Sequence, residues 1–213
     1  MNKALPTETL TIDGPAGAIE VLRDAPECVQ GIAIVAHPHP LFGGANTNKV
    51  TYTLAKTLRD LGYCALRPNF RGVGASAGTH DNGVGETEDL LALIAWAKNA
   101  YGDAPIVLAG FSFGAFVQAR VAKRLADAGC PARRLILVGT ASGFIEGARH
   151  YETEAVAADT IVIHGSRDQV VPLANVLAWA EPLNLPVVVI PGSDHFFHAR
   201  LGMLREIIER AWR

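Results

Sequence analysis

The sequence is poor in cysteine. Its three cysteines, Cys28, Cys64 and Cys130, are widely spaced, and no CxxC pair occurs. An odd number of distant cysteines does not fit the disulfide framework of small secreted proteins or the ligand spacing of a zinc site. The cysteine usage therefore favours a reducing compartment, and we expect a cytoplasmic protein without a structural metal.

Runs of a single charge and long apolar runs are also missing. Lys and Arg number 19 against 21 Asp and Glu, the net charge is -2, and no basic run occurs. Nucleic-acid binding needs clustered Lys and Arg to neutralise phosphates. No apolar run approaches the roughly 20 residues of a membrane-spanning helix, and the segment MNKALPTE at the start has no signal-peptide core. We therefore expect neither nucleic acid nor a membrane as a partner.

The sequence does show short apolar runs that alternate with longer helical periodicities. Residues 31–36 (GIAIVA) are almost all apolar, which is typical of a parallel strand buried on both faces. Strands are predicted at residues 9–12, 18–22, 31–36, 63–67, 105–109, 134–138, 160–164 and 186–190. Helices are predicted at residues 47–61, 85–99, 113–128, 173–180 and 197–212.

This alternation predicts an α/β fold. Strands separated by helices of this length form βαβ crossovers, which produce a mostly parallel sheet with helices on both faces. We expect a three-layer α/β/α sandwich with an eight-stranded sheet, in which the first two strands form an antiparallel pair. A chain of 213 residues suits one hydrophobic core, so residues 1–213 are predicted to form a single domain.

The segment Gly110-Phe111-Ser112-Phe113-Gly114 is a G-x-S-x-G motif placed between a predicted strand and a predicted helix. In this context the chain turns sharply and presents the serine hydroxyl at the carboxyl end of the strand. The start of the helix also supplies free N–H groups that favour a developing oxyanion. A plain strand-to-helix connection built from small residues is the alternative interpretation.

With this motif in place, the sequence resembles the α/β-hydrolase superfamily, and within it the small, lid-less bacterial hydrolases near the dienelactone-hydrolase branch. The likeness extends from the segment HPHPLFGG, which begins at His37, to the last predicted loop. Dienelactone hydrolases use cysteine as the nucleophile, whereas this chain has Ser112. The resemblance therefore implies a serine hydrolase that acts on esters.

A serine hydroxyl needs a base within hydrogen-bond reach and an acid that orients the base. His195 follows the strand predicted at residues 186–190, and Asp168 follows the strand predicted at residues 160–164, so both lie at the same sheet edge as Ser112. Ser112, Asp168 and His195 also follow the chain order expected of this fold. We predict that they form a catalytic triad.

Other histidines and carboxylates compete for the same roles. His198 is a rival base but falls inside the last predicted helix, and Asp194 adjoins His195 in an extended loop and should point away from it. Asp168 could instead be a turn or helix-capping residue. His164 is expected to bind a loop carbonyl, while His80 and His150 are expected at the surface.

The oxyanion hole is predicted to combine two backbone N–H groups. One belongs to Phe113, the residue after the nucleophile. The other should come from the loop Pro38-His39-Pro40, where only His39 has an N–H; Leu41 is the fallback. The pattern His37-x-His39 could also ligate a metal, but it lacks a third ligand nearby. We predict no metal and no organic cofactor.

A second glycine-rich segment, Gly72-Val73-Gly74-Ala75-Ser76-Ala77, partly matches a dinucleotide-binding motif. No helix is predicted to begin at these glycines, although phosphate binding requires one. In the resembling family, the segment Asn69-Phe70-Arg71-Gly72-x-Gly74-x-Ser76 is a structural loop beside the active site, and we expect Arg71 to anchor it. A nicotinamide oxidoreductase and a catalytically inactive binding module are the alternative functions.

The gap of about 20 residues between Val138 and Thr160 has room for a loop and a short helix but not for a cap domain. The site should therefore be open, and apolar walls are expected from Leu41, Phe42, Phe111 and Phe196. We predict hydrolysis of small to medium acyl esters by a monomer or homodimer, without interfacial activation. Thioester and peptide hydrolysis use the same triad and remain alternatives.

Overall fold

The computed structural model describes residues 4–212 and is organised around one eight-stranded β-sheet. The strands are β1 Glu8–Gly14, β2 Gly17–Asp24, β3 Gly31–Ala36, β4 Tyr63–Pro68, β5 Ile106–Phe111, β6 Arg134–Val138, β9 Ile161–Gly165 and β10 Val187–Ile190; β7 Gly143–Phe144 and β8 His150–Tyr151 form a separate hairpin. The helices are α1 Lys49–Asp60, α2 Val84–Tyr101, α3 Phe113–Asp127, α4 Leu173–Ala180 and α5 Leu201–Ala211.

The strand order in the sheet is β1-β2-β4-β3-β5-β6-β9-β10. Strands β1 and β2 pair antiparallel, β2 pairs antiparallel with β4, and all the remaining pairs are parallel. The predicted mostly parallel eight-stranded sheet is therefore confirmed. The carboxyl ends of β3, β5, β6, β9 and β10 meet at one edge, where ligands bind in open α/β sheets.

Helices cover both faces of the sheet. Along β3, Ile32 and Ile34 face the layer that contains α2 and α3, while Ala33 and Val35 face α1 and α5. Every residue of β3 is buried, because a central parallel strand has protein on both sides. This alternation gives the predicted three-layer sandwich.

The segment between β6 and β9 contains the β7–β8 hairpin and forms no cap domain, as expected. One local expectation is wrong. The last helix begins at Leu201 rather than at residue 197, because Phe197 and Ala199 have φ values of 54° and 57°, outside the helical region. No helix between residues 4 and 212 combines bilayer-spanning length with sufficient apolar character.

Candidate active site

Ser112 occupies the sharp turn between β5 and α3. Its backbone has φ 56° and ψ -119°, a conformation that is rare and costly for a residue with a side chain. The turn is held by the Ser112 N–H, which donates to the Val138 carbonyl at 2.8 Å, and by the Ser112 carbonyl, which accepts from the Ala115 N–H at 3.0 Å. The strand-turn-helix geometry predicted for the G-x-S-x-G motif is therefore present.

The two glycines of this motif are required by close backbone approach. A Cβ on Gly110 would collide with the Gly114 carbonyl, and a Cβ on Gly114 would lie 2.5 Å from the carbonyl oxygens of Ala36 and His37. Real Cβ atoms essentially never approach other atoms within 3.0 Å. The glycines thus bring the start of α3 against the end of β3, where the loop with His39 begins.

The side chains of Ser112, His195 and Asp168 meet at this edge of the sheet. His195 Nε2 lies 3.0 Å from Ser112 Oγ, and His195 Nδ1 lies 2.7 Å from Asp168 Oδ2. An ionised carboxylate only accepts hydrogen bonds, so the proton of the neutral imidazole lies on Nδ1. The lone pair of Nε2 then faces the serine hydroxyl, which is the arrangement that a general base requires.

Asp168 is held by donors on both of its carboxylate oxygens. Oδ1 accepts from the N–H groups of Val170 and Val171 at 2.9 and 2.8 Å, and Oδ2 lies 3.3 Å from His164 Nε2 in addition to its contact with His195. The side chain is fully buried, so these donors replace its water. Asp168 is therefore both a turn-forming residue and the partner of His195.

His164 binds a loop carbonyl, as the sequence predicts. Its Nε2 lies 3.0 Å from the Val171 carbonyl oxygen, which can only accept, so Nε2 carries the proton. Burial is the main cause that lowers the pKa of His164. The neutral ring therefore lies beside Asp168 without adding a second positive charge next to His195.

The rival base His198 lies away from the nucleophile, although not inside a helix as predicted. It belongs to the turn that precedes α5, and its exposed ring pairs with Asp194 at 2.6 Å. The hydrogen bond from His198 is the main cause that lowers the pKa of Asp194. Asp194 thus pairs with His198, in agreement with the expectation that it does not orient His195.

The backbone N–H groups of His39 and Phe113 are available for an oxyanion. Phe113 is the first residue of α3, so its N–H has no partner within the helix. Residues 4–212 provide no acceptor for the His39 N–H, whereas the Leu41 N–H donates to His39 Nδ1 at 3.2 Å. The occupied N–H of Leu41 argues against the fallback donor and favours His39.

His80 was expected at the surface, and that expectation is wrong. Its side chain is mostly buried, lies 2.9 Å from the buried carboxylate of Glu86, and packs against the rings of His39 and Phe113 at 4.7 and 5.3 Å. The pKa of His39 is lowered to about 4 by burial, then by the charges of His80 and Arg149. No local pattern around His80 reveals this contact, because it depends on how residues 69–83 fold back over the His39 loop.

His37 has a structural role. Its Nε2 accepts from the Phe70 N–H at 2.9 Å, and its Nδ1 lies 2.6 Å from the Pro38 carbonyl oxygen. Both ring nitrogens are therefore occupied by protein groups, which argues against the metal-ligand interpretation of His37-x-His39. Burial lowers the pKa of His37 to about 4 and keeps the ring neutral.

Three of the four predicted pocket residues are exposed, and two of them contact residues of the proposed site: the Phe42 ring centre lies 4.7 Å from that of His39, and the Phe196 ring centre lies 5.1 Å from that of His195. Leu41, Phe42 and Phe196 are 70%, 67% and 43% exposed. Phe111 is fully buried, with its ring centre 4.8 Å from that of His195. The prediction of Phe111 as a pocket wall is therefore wrong; this ring supports the imidazole from within the core.

The glycine-rich segment after β4 is a structural loop. Helix α2 begins only at Val84, so no helix N-terminus faces Gly72 or Gly74, which argues against the dinucleotide interpretation. The Arg71 guanidinium donates to both carboxylate oxygens of Asp89 at 2.8 Å and to the Gly85 carbonyl. Arg71 thus anchors the loop to α2, as expected from the sequence.

Comparison with known proteins supports the same fold. Residues 39–153 match the family described as alpha/beta hydrolase fold. The chain is similar to a structure described as an alpha-beta serine hydrolase homologue from Coxiella burnetii, with 40% identity, a TM-score of 0.85 and 97% of each chain covered. It is also similar to a serine hydrolase without lid from Xanthomonas campestris, with 36% identity, a TM-score of 0.85 and coverage of 99% of this chain and 96% of that chain.

An uncharacterised protein of Rickettsia prowazekii is 34% identical over 198 residues, which cover 87% of this chain and 80% of the relative. The matched family region includes the nucleophile turn, and the structural likeness extends over nearly the whole chain. The protein therefore belongs to the α/β-hydrolase family and has the fold of the lid-less bacterial serine hydrolases.

Proposed function

We propose that this protein is a serine hydrolase that cleaves small to medium acyl esters through an acyl-enzyme intermediate. The observation that carries the proposal is His195, which bridges Ser112 Oγ at 3.0 Å and Asp168 Oδ2 at 2.7 Å. Three groups from different loops meet in the order of hydroxyl, imidazole and carboxylate that activates a serine.

In the first half of the reaction, Ser112 Oγ attacks the ester carbonyl carbon and its proton passes to His195 Nε2. The carbonyl oxygen becomes an oxyanion and accepts from the N–H groups of Phe113 and His39. When the intermediate collapses, the ester C–O bond breaks and the alcohol leaves with the proton from His195. Asp168 stabilises the imidazolium that exists between these two proton transfers.

In the second half, a water molecule gives one proton to His195 and attacks the acyl-enzyme carbonyl. The second tetrahedral intermediate collapses, His195 returns the proton to Ser112 Oγ, and the carboxylic acid is released. These steps use only the side chains of the triad, two backbone donors and water. The N–H groups of Phe113 and His39 also stabilise the oxyanion of this second intermediate.

The exposed residues beside the triad support a preference for small or medium esters. Leu41, Phe42 and Phe196 offer apolar contact area without enclosing a substrate, and the loop between β6 and β9 forms no cap domain. An acyl chain bound there would keep part of its surface in water, so each added methylene should contribute less than the roughly 0.8 kcal/mol of full burial.

The test is the release of 4-nitrophenol from 4-nitrophenyl esters of acids from acetate to octanoate. A butyrate thioester and a butyrate anilide measured in parallel compare thioester and amide cleavage with ester cleavage. We expect Ser112→Ala to lower kcat at least roughly 10⁴-fold, because loss of the nucleophile alone removes most of the catalysis of a triad.

The matched control is Ser142→Ala, which removes a buried hydroxyl from the loop after β6. Its Oγ has only a long hydrogen bond, 3.4 Å, to the Thr140 carbonyl, so kcat should change less than threefold. Ester turnover that survives Ser112→Ala at the wild-type rate would contradict the proposal.

A further inference from the structure

A cavity lies beside the nucleophile helix α3, outside the triad. It has a volume of about 520 Å³ and is lined by Phe116 and Arg120 of α3 and by residues on and after the β7–β8 hairpin, including Arg149 and Thr153. Phe116 comes four residues after Ser112, which is about one helical turn. The cavity therefore adjoins the segment that positions the nucleophile.

Arg149 is fixed at the wall of this cavity. Its Nη2 donates to the Asn82 carbonyl at 2.6 Å, and its guanidinium carbon lies 4.7 Å from the ring centre of Tyr151 and 5.5 Å from that of Phe116. Its Nε is buried and has no hydrogen-bond partner within residues 4–212. A buried donor without a partner is costly, so an acceptor that reached this N–H would be stabilising.

The two arginines of the cavity are not neutralised by carboxylates. Within the described part of the chain, neither Arg120 nor Arg149 has an acidic oxygen within 4.0 Å. Glu152 and Glu154 also line the cavity but pair with neither arginine. Two guanidinium groups therefore line the cavity without forming an ion pair.

The cavity is close to the proposed oxyanion site. The ring of Phe113 lies 4.8 Å from that of His39 and 6.0 and 6.5 Å from those of Phe116 and Tyr151, so one aromatic side chain separates the His39 loop from the cavity wall. The charge of Arg149 also reaches His39, where it lowers the pKa of the ring after burial and His80. The cavity wall and the His39 loop thus pack against the same buried ring, that of Phe113.

We propose that this cavity binds an anionic group of the substrate, a carboxylate or a phosphate, through Arg149 and Arg120. This inference rests on the proposed ester hydrolysis, because the anionic group would belong to the ester that Ser112 attacks. The planar N–H fork of arginine matches both carboxylate and phosphate oxygens. The substrate class is then an ester that carries a second, negatively charged group.

The kinetic test compares 4-nitrophenyl half-esters of succinate, glutarate and adipate with the butyrate, pentanoate and hexanoate esters of equal chain length. The butyrate ester of 4-hydroxybenzoate, compared with that of 4-hydroxybenzamide, places the charge on the alcohol side. The rate with Ser112→Ala is subtracted as background. We expect kcat/KM for at least one charged ester to exceed that of its neutral partner tenfold or more.

The variant Arg149→Gln should bring this ratio to within twofold of one. Arg120→Gln should lower the ratio less, because Arg149 retains its buried donor. The matched control is Arg133→Gln, an exposed arginine next to the start of β6 at the opposite edge of the sheet, which should leave the ratio unchanged. A ratio near one in the wild-type protein, or an unchanged ratio in Arg149→Gln, would overturn the inference.

Equilibrium binding separates this inference from the proposed function. Calorimetric titration with succinate and with inorganic phosphate should detect binding to the wild-type protein that weakens at least tenfold in Arg149→Gln, and the tighter of the two probes identifies the anion. If neither ester series is hydrolysed, the proposed function fails, yet this titration still decides whether the cavity binds anions. Equal binding by both proteins, or none by the wild-type protein, would refute the anion site.

Discussion

Gly114→Ala tests how closely the nucleophile helix must approach the His39 loop. The new Cβ would lie 2.5 Å from the carbonyl oxygens of Ala36 and His37, whereas ordinary contact begins at 3.4 Å. Backbone groups supply both contacts, so the start of α3 and the end of β3 must separate by about 0.9 Å. This separation moves the N–H of Phe113 away from the N–H of His39.

We expect Gly114→Ala to lower kcat roughly 10²–10³-fold, about as much as the loss of one oxyanion donor. KM should change little, because the exposed apolar residues of the site remain in place. The assay is 4-nitrophenyl acetate hydrolysis, with thermal unfolding measured on the same samples. The interpretation applies to folded protein, so the variant must retain a cooperative transition.

Gly202→Ala is the matched control. A Cβ at Gly202, near the start of α5, meets no atom within 4 Å, so activity should stay at the wild-type level while stability rises by about 0.5–1 kcal/mol. A folded Gly114→Ala protein with kcat within threefold of the wild-type value would refute the reasoning. It would show that catalysis does not depend on how closely the start of α3 approaches the end of β3.

Asp168→Asn should lower kcat roughly 10³–10⁴-fold in a folded protein, because an amide in contact with His195 Nδ1 no longer fixes the tautomer; a loss below tenfold would speak against the triad. Because burial lowers the pKa of His37 to about 4, its neutral ring stabilises the fold fully above pH 6.5, and up to about 3 kcal/mol is lost as the pH falls toward 4. The free energy of unfolding in urea should therefore differ less between pH 7 and pH 4.5 in His37→Gln than in the wild-type protein. An equal difference in the two proteins would contradict this account. Arg67→Met should lower the free energy of unfolding by roughly 3–5 kcal/mol, since it leaves the buried carboxylate of Asp24 without its 2.8 Å partner; a loss below 1 kcal/mol in urea titration would disagree.

The sheet and the meeting of the triad could be predicted from sequence because both follow from local patterns and topology. Apolar runs such as residues 31–36 identify buried parallel strands, and parallel strands carry their following loops to one edge. Ser112, Asp168 and His195 each follow such a strand. No distance was needed to predict that these three side chains lie together.

The wrong predictions concern contacts that local patterns specify weakly. Phe111 could have been placed correctly by strand alternation, because it shares a face with the buried residues Val107 and Ala109. The position of His80 depends on a long loop folding back over His39. The late start of α5 depends on Phe197, whose side chain is buried in the core and whose backbone is not helical. Each of these outcomes is decided by tertiary packing.

The cavity with Arg149 shows a further limit of sequence reasoning. The β7–β8 hairpin has strands of only two residues, too short to leave a recognisable alternation, and Arg149 lies next to the second of them. Its approach to Phe116 joins residues 33 positions apart in the chain. Such a contact needs the folded arrangement of the loop between β6 and β9.

The central claim is that Ser112 is a nucleophile activated by His195, and covalent labelling with a fluorophosphonate tests it most directly. Intact-protein mass spectrometry should show one phosphonate per chain, peptide mapping should place it on Ser112, and His195→Ala should slow labelling at least roughly 10²-fold. A label on another residue, or equally fast labelling of Ser112→Ala, would contradict the account.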